Sequence, residues 1–205
     1  VFAEARRRFR GLDLGLGLGH SFRTRDLLDD FLEARRPETL DLVEASDFVS
    51  LNLYPILHWR GKRGLEDSAR FLRDGDFRAV LLDHLGSGLD ELLEALGARG
   101  KTVILGETGV PSLIPGKASS TGTSHDSRAW LRALGDWTAF LGRLLKAHPC
   151  LRAVYFFEWS DNPAHPMVRR MGLAVHGGLG LAAPAGRLKA PGSALKPLLR
   201  KVLQP

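Results

Sequence analysis

The sequence predicts a parallel α/β fold, with four strands each followed by helical material, which is half of an eight-stranded (β/α)8 or TIM barrel. Three observations predict it. Segments of strand period alternate with segments of helical period; the strands carry one apolar face and one that turns polar toward the C-terminal end; acidic, amide and aromatic residues collect at successive strand tips. A flavodoxin-like or Rossmann sheet shows the same alternation, so the count of elements leaves those folds open and the strand faces have to decide.

Phe2 to Phe9 has helical spacing, and Leu14 to Leu18 alternates leucine with glycine, a strand period. Asp26 to Ala34 returns to helical spacing, Leu40 to Ala45 adds a further turn, and Phe48 to Tyr54 alternates until Pro55 stops it. Ile56 to Leu65 is expected to be a loop. Helices are expected over Phe77 to Leu85 and Leu89 to Ala98, separated by Gly86-Ser87-Gly88 and closed by Gly97 and Gly100 as C-terminal caps. Lys101 to Gly106 reads as a strand, Trp130 to Ala147 as a long amphipathic helix, and Arg152 to Trp159 as the last strand. Between them Pro111 to Ser127, rich in Pro, Gly, Ser and Thr, is a loop suited to lie over a site. A loop over Ala182 to Pro191 and a short helix around Ala194 to Leu203 complete the chain.

Strand faces favour the barrel. In the second strand Val49, Leu51 and Leu53 share a face suited to outer helices, while Phe48, Ser50, Asn52 and Tyr54 share the other. The third strand's alternation places Val103, Leu105 and Glu107 together, so an apolar series ends on a carboxylate at the C-terminal tip, where barrel enzymes keep their chemistry. In the first strand Gly15, Gly17 and Gly19 share a face, small residues where large neighbours fill a lumen. Tyr155, Phe157 and Trp159 share a face of the fourth, which ends in an indole.

Composition sets the outer bounds. With 205 residues, 44% hydrophobic and 25% charged, the chain suits one sizeable core and falls outside the disordered and fibrous classes. Lone Cys150 excludes an intramolecular disulfide framework and a multi-cysteine metal site. No run of about 18 apolar residues occurs, so no membrane span is expected. The net charge of +6 is scattered arginine with Arg6-Arg7-Arg8 as its one tight run; it reads as a solvated helix face, and no nucleic-acid partner is expected. The seven histidines lack ligand spacing, so no metal is expected. Gly15-x-Gly17-x-Gly19 lies inside a strand instead of in a strand-to-helix turn, so no dinucleotide or other cofactor is expected. Ser124-His125-Asp126 are adjacent in sequence and cannot converge as a triad.

The strand tips bring together His20 or Ser21, Asn52 with Tyr54, Glu107, and Glu158 with Trp159, a mixture that suits sugars, which offer hydroxyls to polar side chains and a C–H face to aromatic rings. The strings Asp47-Phe48-Val49-Ser50-Leu51-Asn52-Leu53-Tyr54-Pro55, Gly106-Glu107-Thr108-Gly109-Val110-Pro111-Ser112 and Phe156-Phe157-Glu158-Trp159-Ser160-Asp161 resemble strands six, seven and eight of glycoside hydrolase clan A. The nearest match is family 17, the endo-β-1,3-glucanases and glucanosyltransferases, with Val110 in place of the motif's usual tryptophan and Glu158-Trp159 closer to families 5 and 2. The resemblance covers Asp47 to Pro163 and implies strands five to eight of a clan A barrel, a half-barrel or fragment.

By that resemblance the chain is a retaining β-glycoside hydrolase or transglycosylase acting on a carbohydrate, with Glu107 as nucleophile, Tyr54 hydrogen-bonded to it, Asn52 contacting sugar or carboxylate, and Trp159 flooring a subsite. Glu158 opposes Trp159 in parity, so one of the two points out of the lumen, and Trp159 is expected inward. Asp161 in the following loop is a candidate for a distal sugar hydroxyl or a loop cap. Trp130 and Trp137, seven apart on a helix, are expected to pack against the barrel. Clan A takes its acid from an Asn-Glu pair after strand four, and no Asn-Glu occurs here; Phe2 to Phe9 is then expected to be the helix that follows that strand, and the chain alone to be inactive. The resemblance favours an extracellular or periplasmic address. Two rivals remain: a non-catalytic carbohydrate-binding barrel, and a barrel enzyme on phosphorylated substrates using Gly177-Gly178. A half-barrel has open sheet edges. The isolated chain is therefore expected to self-associate, with light scattering giving a mass above that of a monomer; a monodisperse monomer means that the fold closes another way.

Overall fold

The structure, a computed structural model, describes residues 2–18, 37–53, 87–110 and 127–156, together with Lys196, Pro197 and Arg200. Helices α1 (Phe2–Arg8), α2 (Pro37–Ala45), α3 (Ser87–Ala98) and α4 (Ser127–Ala147) alternate with strands β1 (Gly15–Leu18), β2 (Phe48–Leu53), β3 (Thr102–Thr108) and β4 (Leu151–Phe156). All three strand pairings are parallel, and the strands lie in chain order. A Rossmann or flavodoxin-like sheet reverses its order at a switch point, and the described sheet has none. The expected helices over Asp26 to Ala34 and Phe77 to Leu85, the loops save for Ser127, which opens α4, and Gly177-Gly178 lie outside the described residues.

Helix boundaries follow local chemistry. α2 begins at Pro37, whose fixed φ and missing N–H suit the first helical position, so it is longer than the turn expected from Leu40. α3 begins at Ser87, so Gly86-Ser87-Gly88 does not wholly separate two helices: Ser87 and Gly88 are helical. It ends at Ala98 and is capped by Gly100, which has φ +69°; Lys101 N–H donates to Leu96 O at 3.1 Å and Gly100 N–H to Gly97 O at 2.9 Å, the paired bonds of a Schellman cap. Gly97 is inside the helix instead of capping it. A Cβ there would stand 3.4 Å from Cys150 Sγ, in ordinary contact with the turn before β4.

Leu89, Leu92, Leu93 and Leu96 of α3 fall on one helical stripe, as do Trp130, Ala133, Leu134, Trp137, Leu141 and Leu144 of α4. Both stripes pack into one core with Val43 of α2, Val49, Leu51 and Leu53 of β2, Val103 and Leu105 of β3, and Leu151 of β4. In β2 burial alternates strictly: Val49, Leu51 and Leu53 are buried, while Phe48, Ser50 and Asn52 are half-buried on the opposite, open face. The Phe48 ring covers Gly15, its register partner, where a Cβ would overlap it. That is the small-against-large pairing expected of the glycine face, at Gly15 alone: a Cβ on Gly17 would meet nothing within 4 Å, and Gly19 lies outside the described residues.

Polar contacts hold the N-terminal end of the sheet. Leu14 N–H donates to Asp47 Oδ2 at 2.7 Å, Asp47 N–H to Leu14 O at 2.8 Å, and Arg6 to Asp47 Oδ1 at 2.8 Å and Ala45 O at 3.0 Å. Lys101 Nζ donates to Glu44 O at 2.9 Å and Ser46 O at 3.1 Å, and His148 Nε2 lies 2.7 Å from Asp90 Oδ1. The Arg6 hydrogen bond, followed by that from Leu14 N–H, holds the Asp47 carboxyl below its ordinary range. A carboxyl depressed by folding stabilises the native state at pH above its unfolded value of about 3.9 and loses that contribution as pH falls through the lower folded value. Asp47→Asn is therefore expected to lose less stability than the parent between neutral pH and pH about 3, measured as the shift in urea midpoint.

Candidate functional site

Glu107 lies next to last in β3, at the strand's C-terminal end. Strict alternation would leave it on the face of Val103 and Leu105, which are fully buried against the helices. The structure corrects this. Leu51 pairs with Leu105 but Asn52 pairs with Glu107, so Gly106 is an extra residue in β3, a β-bulge. Beyond it the faces exchange: Glu107 joins Phe48, Ser50 and Asn52 on the open face and is half-buried, while Thr108 turns inward and is fully buried. Alternation grouped the carboxylate with the wrong neighbours.

Gly106 is glycine for a steric reason. A Cβ there would overlap Ser50 Oγ and stand 3.3 Å from Asn52 Oδ1 and 3.6 Å from Ser50 Cβ, so the β2 side chains occupy the space that any larger residue needs. On the other side β4 is also out of step. Leu105 pairs with Val154 and Thr108 with Phe156, which leaves Tyr155 opposite Gly106 and Glu107. Tyr155 is 58% exposed. Glu107 thus stands between Asn52 on one neighbouring strand and Tyr155 on the other.

Behind the carboxylate the strand end is fastened to the core. Thr108 Oγ1 donates to Leu53 O at 2.6 Å and accepts from Trp137 Nε1 at 2.8 Å; Trp130 Nε1 donates to Val110 O at 2.8 Å. Both tryptophans are at most 1% exposed, so they pack as expected and, in addition, bond to the segment that carries Glu107. Two buried indoles each need a partner for their N–H, and two helical turns apart on one face they reach the last residue of the strand and the residue two beyond it. Val110, at the position of the family 17 tryptophan, is buried at 2% exposure and belongs to the core.

Of the residues expected at the site, the structure brings Asn52 and Glu107 together. His20, Ser21, Tyr54, Glu158, Trp159 and Asp161 lie outside the described residues. Tyr155 was read as one of a strand face and not as a site residue; its register opposite the bulge is what adds it. Thr108 was likewise part of a motif without a role, although a threonine directly after a strand-end carboxylate takes the opposite face. A cleft of about 470 Å³, lined by Lys101, His148, Cys150 and Arg152 among others, lies at the N-terminal end of β3 and β4, away from Glu107. Among the described residues no group of His, Cys, Asp and Glu could hold a metal ion, and no helix is long and apolar enough to cross a membrane.

No family model and no curated protein matches the chain. Solved structures do. CbXyn10B in native form superposes with a TM-score of 0.56 at 11% identity, over 99% of this chain and 52% of that one. The likeness is one of fold, to part of a TIM barrel. An endo-laminarinase from Formosa Hel1_33_131 gives a TM-score of 0.49 at 15% identity, over 88% of this chain and 47% of that one. A glycoside hydrolase family 5 mannosidase from Rhizomucor miehei gives 0.41 at 10% identity, over 78% and 38%. This chain spans about half the length of CbXyn10B. The likeness extends to the fold and does not single out family 17.

The bulge makes a separable prediction. Gly106→Ala is expected to cost about 1–3 kcal/mol by crowding Ser50. Ser50→Ala removes the overlapping oxygen and leaves its Cβ at 3.6 Å and Asn52 Oδ1 at 3.3 Å, so the double variant should recover most of that loss. Urea denaturation of the four proteins of the cycle reads the coupling.

Proposed function

We propose that this chain forms strands five to eight of a retaining β-glycoside hydrolase or transglycosylase barrel, with Glu107 as the attacking carboxylate. One observation carries the reading: the bulge at Gly106 turns the strand-end carboxylate from the helix-packed face to the open one, beside Asn52. Turning a carboxylate out of a core at the C-terminal end of a parallel strand is what barrel chemistry requires.

In the first step a Glu107 oxygen bonds to the anomeric carbon as the bond to the leaving oxygen breaks, and that oxygen takes a proton from an acid. Water or a second sugar hydroxyl then displaces the carboxylate with the acid acting as base. Retention needs the two carboxyl groups about 5–5.5 Å apart, and clan A carries the acid in an Asn-Glu pair that this sequence lacks. The acid therefore comes from the complementary half of the barrel. Asn52, Tyr54, Trp159 and Asp161 bind substrate hydroxyls and ring faces, with Glu158 at the same tip. β-Linked poly- or oligosaccharide is the substrate class, by resemblance.

An aryl β-glycoside has a leaving group that needs little protonation, so it tests the nucleophile without the acid. The expected result is a burst of phenol from the 205-residue chain, absent in Glu107→Gln; on natural glycosides the missing acid costs roughly 10²–10⁴-fold. Phenol release by neither the chain nor its fusion to a strand-one-to-four half, with sugar binding that survives Glu107→Gln, would instead indicate a non-catalytic carbohydrate-binding barrel.

A further inference from the structure

We infer that Thr108 and Trp137 are positioning residues for the Glu107 carboxylate: their hydrogen bonds hold the bulge that directs it to the open face. The inference rests on the reading of Glu107 as the attacking group, but the geometry behind it can be measured by itself. Two registers are open to the end of β3. Without the bulge Glu107 continues the Val103–Leu105 face into the core, and Thr108 points to the open side. With it Thr108 enters the core and Glu107 leaves. The choice between them is a choice of which side chain the core will satisfy, because a one-residue slip exchanges every face beyond it.

The core is built for a hydroxyl at that place. Thr108 is fully buried, yet its single oxygen donates to Leu53 O, 2.6 Å away on β2, and accepts the indole N–H of fully buried Trp137, 2.8 Å away on α4. Leu53 is also the register partner of Thr108, so one side chain ties the end of β3 to the neighbouring strand and to the helix behind both. In the slipped register the Trp137 N–H would lose this partner inside the core, and an unsatisfied buried donor is costly. Trp130, bonded to Val110 O at 2.8 Å, fixes the chain where it leaves the strand. The carboxylate next to Thr108 has its direction set by a group that never touches the sugar.

Three substitutions in the full 205-residue chain test this. Thr108→Val keeps the shape and removes the hydroxyl; Thr108→Ser keeps the hydroxyl; Trp137→Phe keeps an aromatic ring and removes the N–H. Two readouts are taken on folded protein: the phenol burst rate from an aryl β-glycoside, and nuclear Overhauser contacts between Asn52 and Glu107 side-chain protons. Thr108→Val and Trp137→Phe are expected to slow the burst about ten- to a hundredfold, the penalty of a misplaced reacting group, and to weaken the Asn52–Glu107 contacts. Thr108→Ser is expected to restore both. A folded Thr108→Val with contacts and burst unchanged overturns the inference, as does a folded Thr108→Ser that is as impaired as valine. If Thr108→Val does not fold, Trp137→Phe against the parent carries the same comparison. If neither the parent nor its fusion to a strand-one-to-four half releases phenol, the nucleophile reading falls, and the contacts alone decide whether the pair positions Glu107.

Discussion

Packing helices against one face of a parallel sheet whose strands follow one another in chain order leaves the other face to a different environment, and the side chains sort accordingly. Right-handed crossovers between adjacent parallel strands place successive helices on the same side. The described core is accordingly one-sided. Val49, Leu51, Leu53, Val103, Leu105 and Leu151 meet the leucines of α3 and the tryptophan stripe of α4, while Phe48, Ser50, Asn52 and Tyr155 face away from them. A doubly wound sheet would bury both faces under helices and have no such polar side. The open face is thus a consequence of strand order before it is a feature of any site.

That constraint conflicts with Glu107. Thr-Val-Ile-Leu-Gly-Glu-Thr, taken with period two, places the carboxylate with Val103 and Leu105 in the densest part of the core, where it would be desolvated. The extra residue at Gly106 removes the conflict and creates a second requirement, since the residue after Glu107 must now be buried in its place. Threonine suits both needs: its methyl packs and its hydroxyl has two partners waiting. Bulge, small residue, carboxylate and buried hydroxyl form one unit, Gly106-Glu107-Thr108, and each member is intelligible only with the others.

Much of this was legible in the sequence, and the part that was not has a definite cause. Alternation within β2 gives its faces correctly, and leucine spacing gives α3 and α4, because both periods are properties of a single segment. The bulge is a property of two strands, a mismatch in count between β2 and β3, and no single-strand period contains it. Its one local sign was a glycine within a strand pattern, which marks a bulge or a close backbone approach. Gly106 is both. Gly97 misled for a related reason: a glycine near a helix end suggests a cap, but it lies inside α3 and faces Cys150, a residue more than fifty positions away. Tyr155 enters the site through the same kind of register, one that only pairing reveals.

The two ends of the sheet are held by different physics. At the N-terminal end the ties are ionisable: Arg6 with Asp47, both partly exposed, and largely buried Lys101 and His148 with the half-exposed carboxylates of Glu44 and Asp90. The exposed Arg6–Asp47 pair contributes little, responds to salt and weakens when Asp47 protonates. At the C-terminal end the described ties that hold the bulge are an alcohol, two indoles and two backbone carbonyls, none of which titrates in the range where proteins fold. A carboxylate that must change its charge and bonding during a reaction is best supported by groups that do not change theirs. The arrangement separates the two: acid can loosen the base of the sheet while the frame around Glu107 keeps its hydrogen bonds.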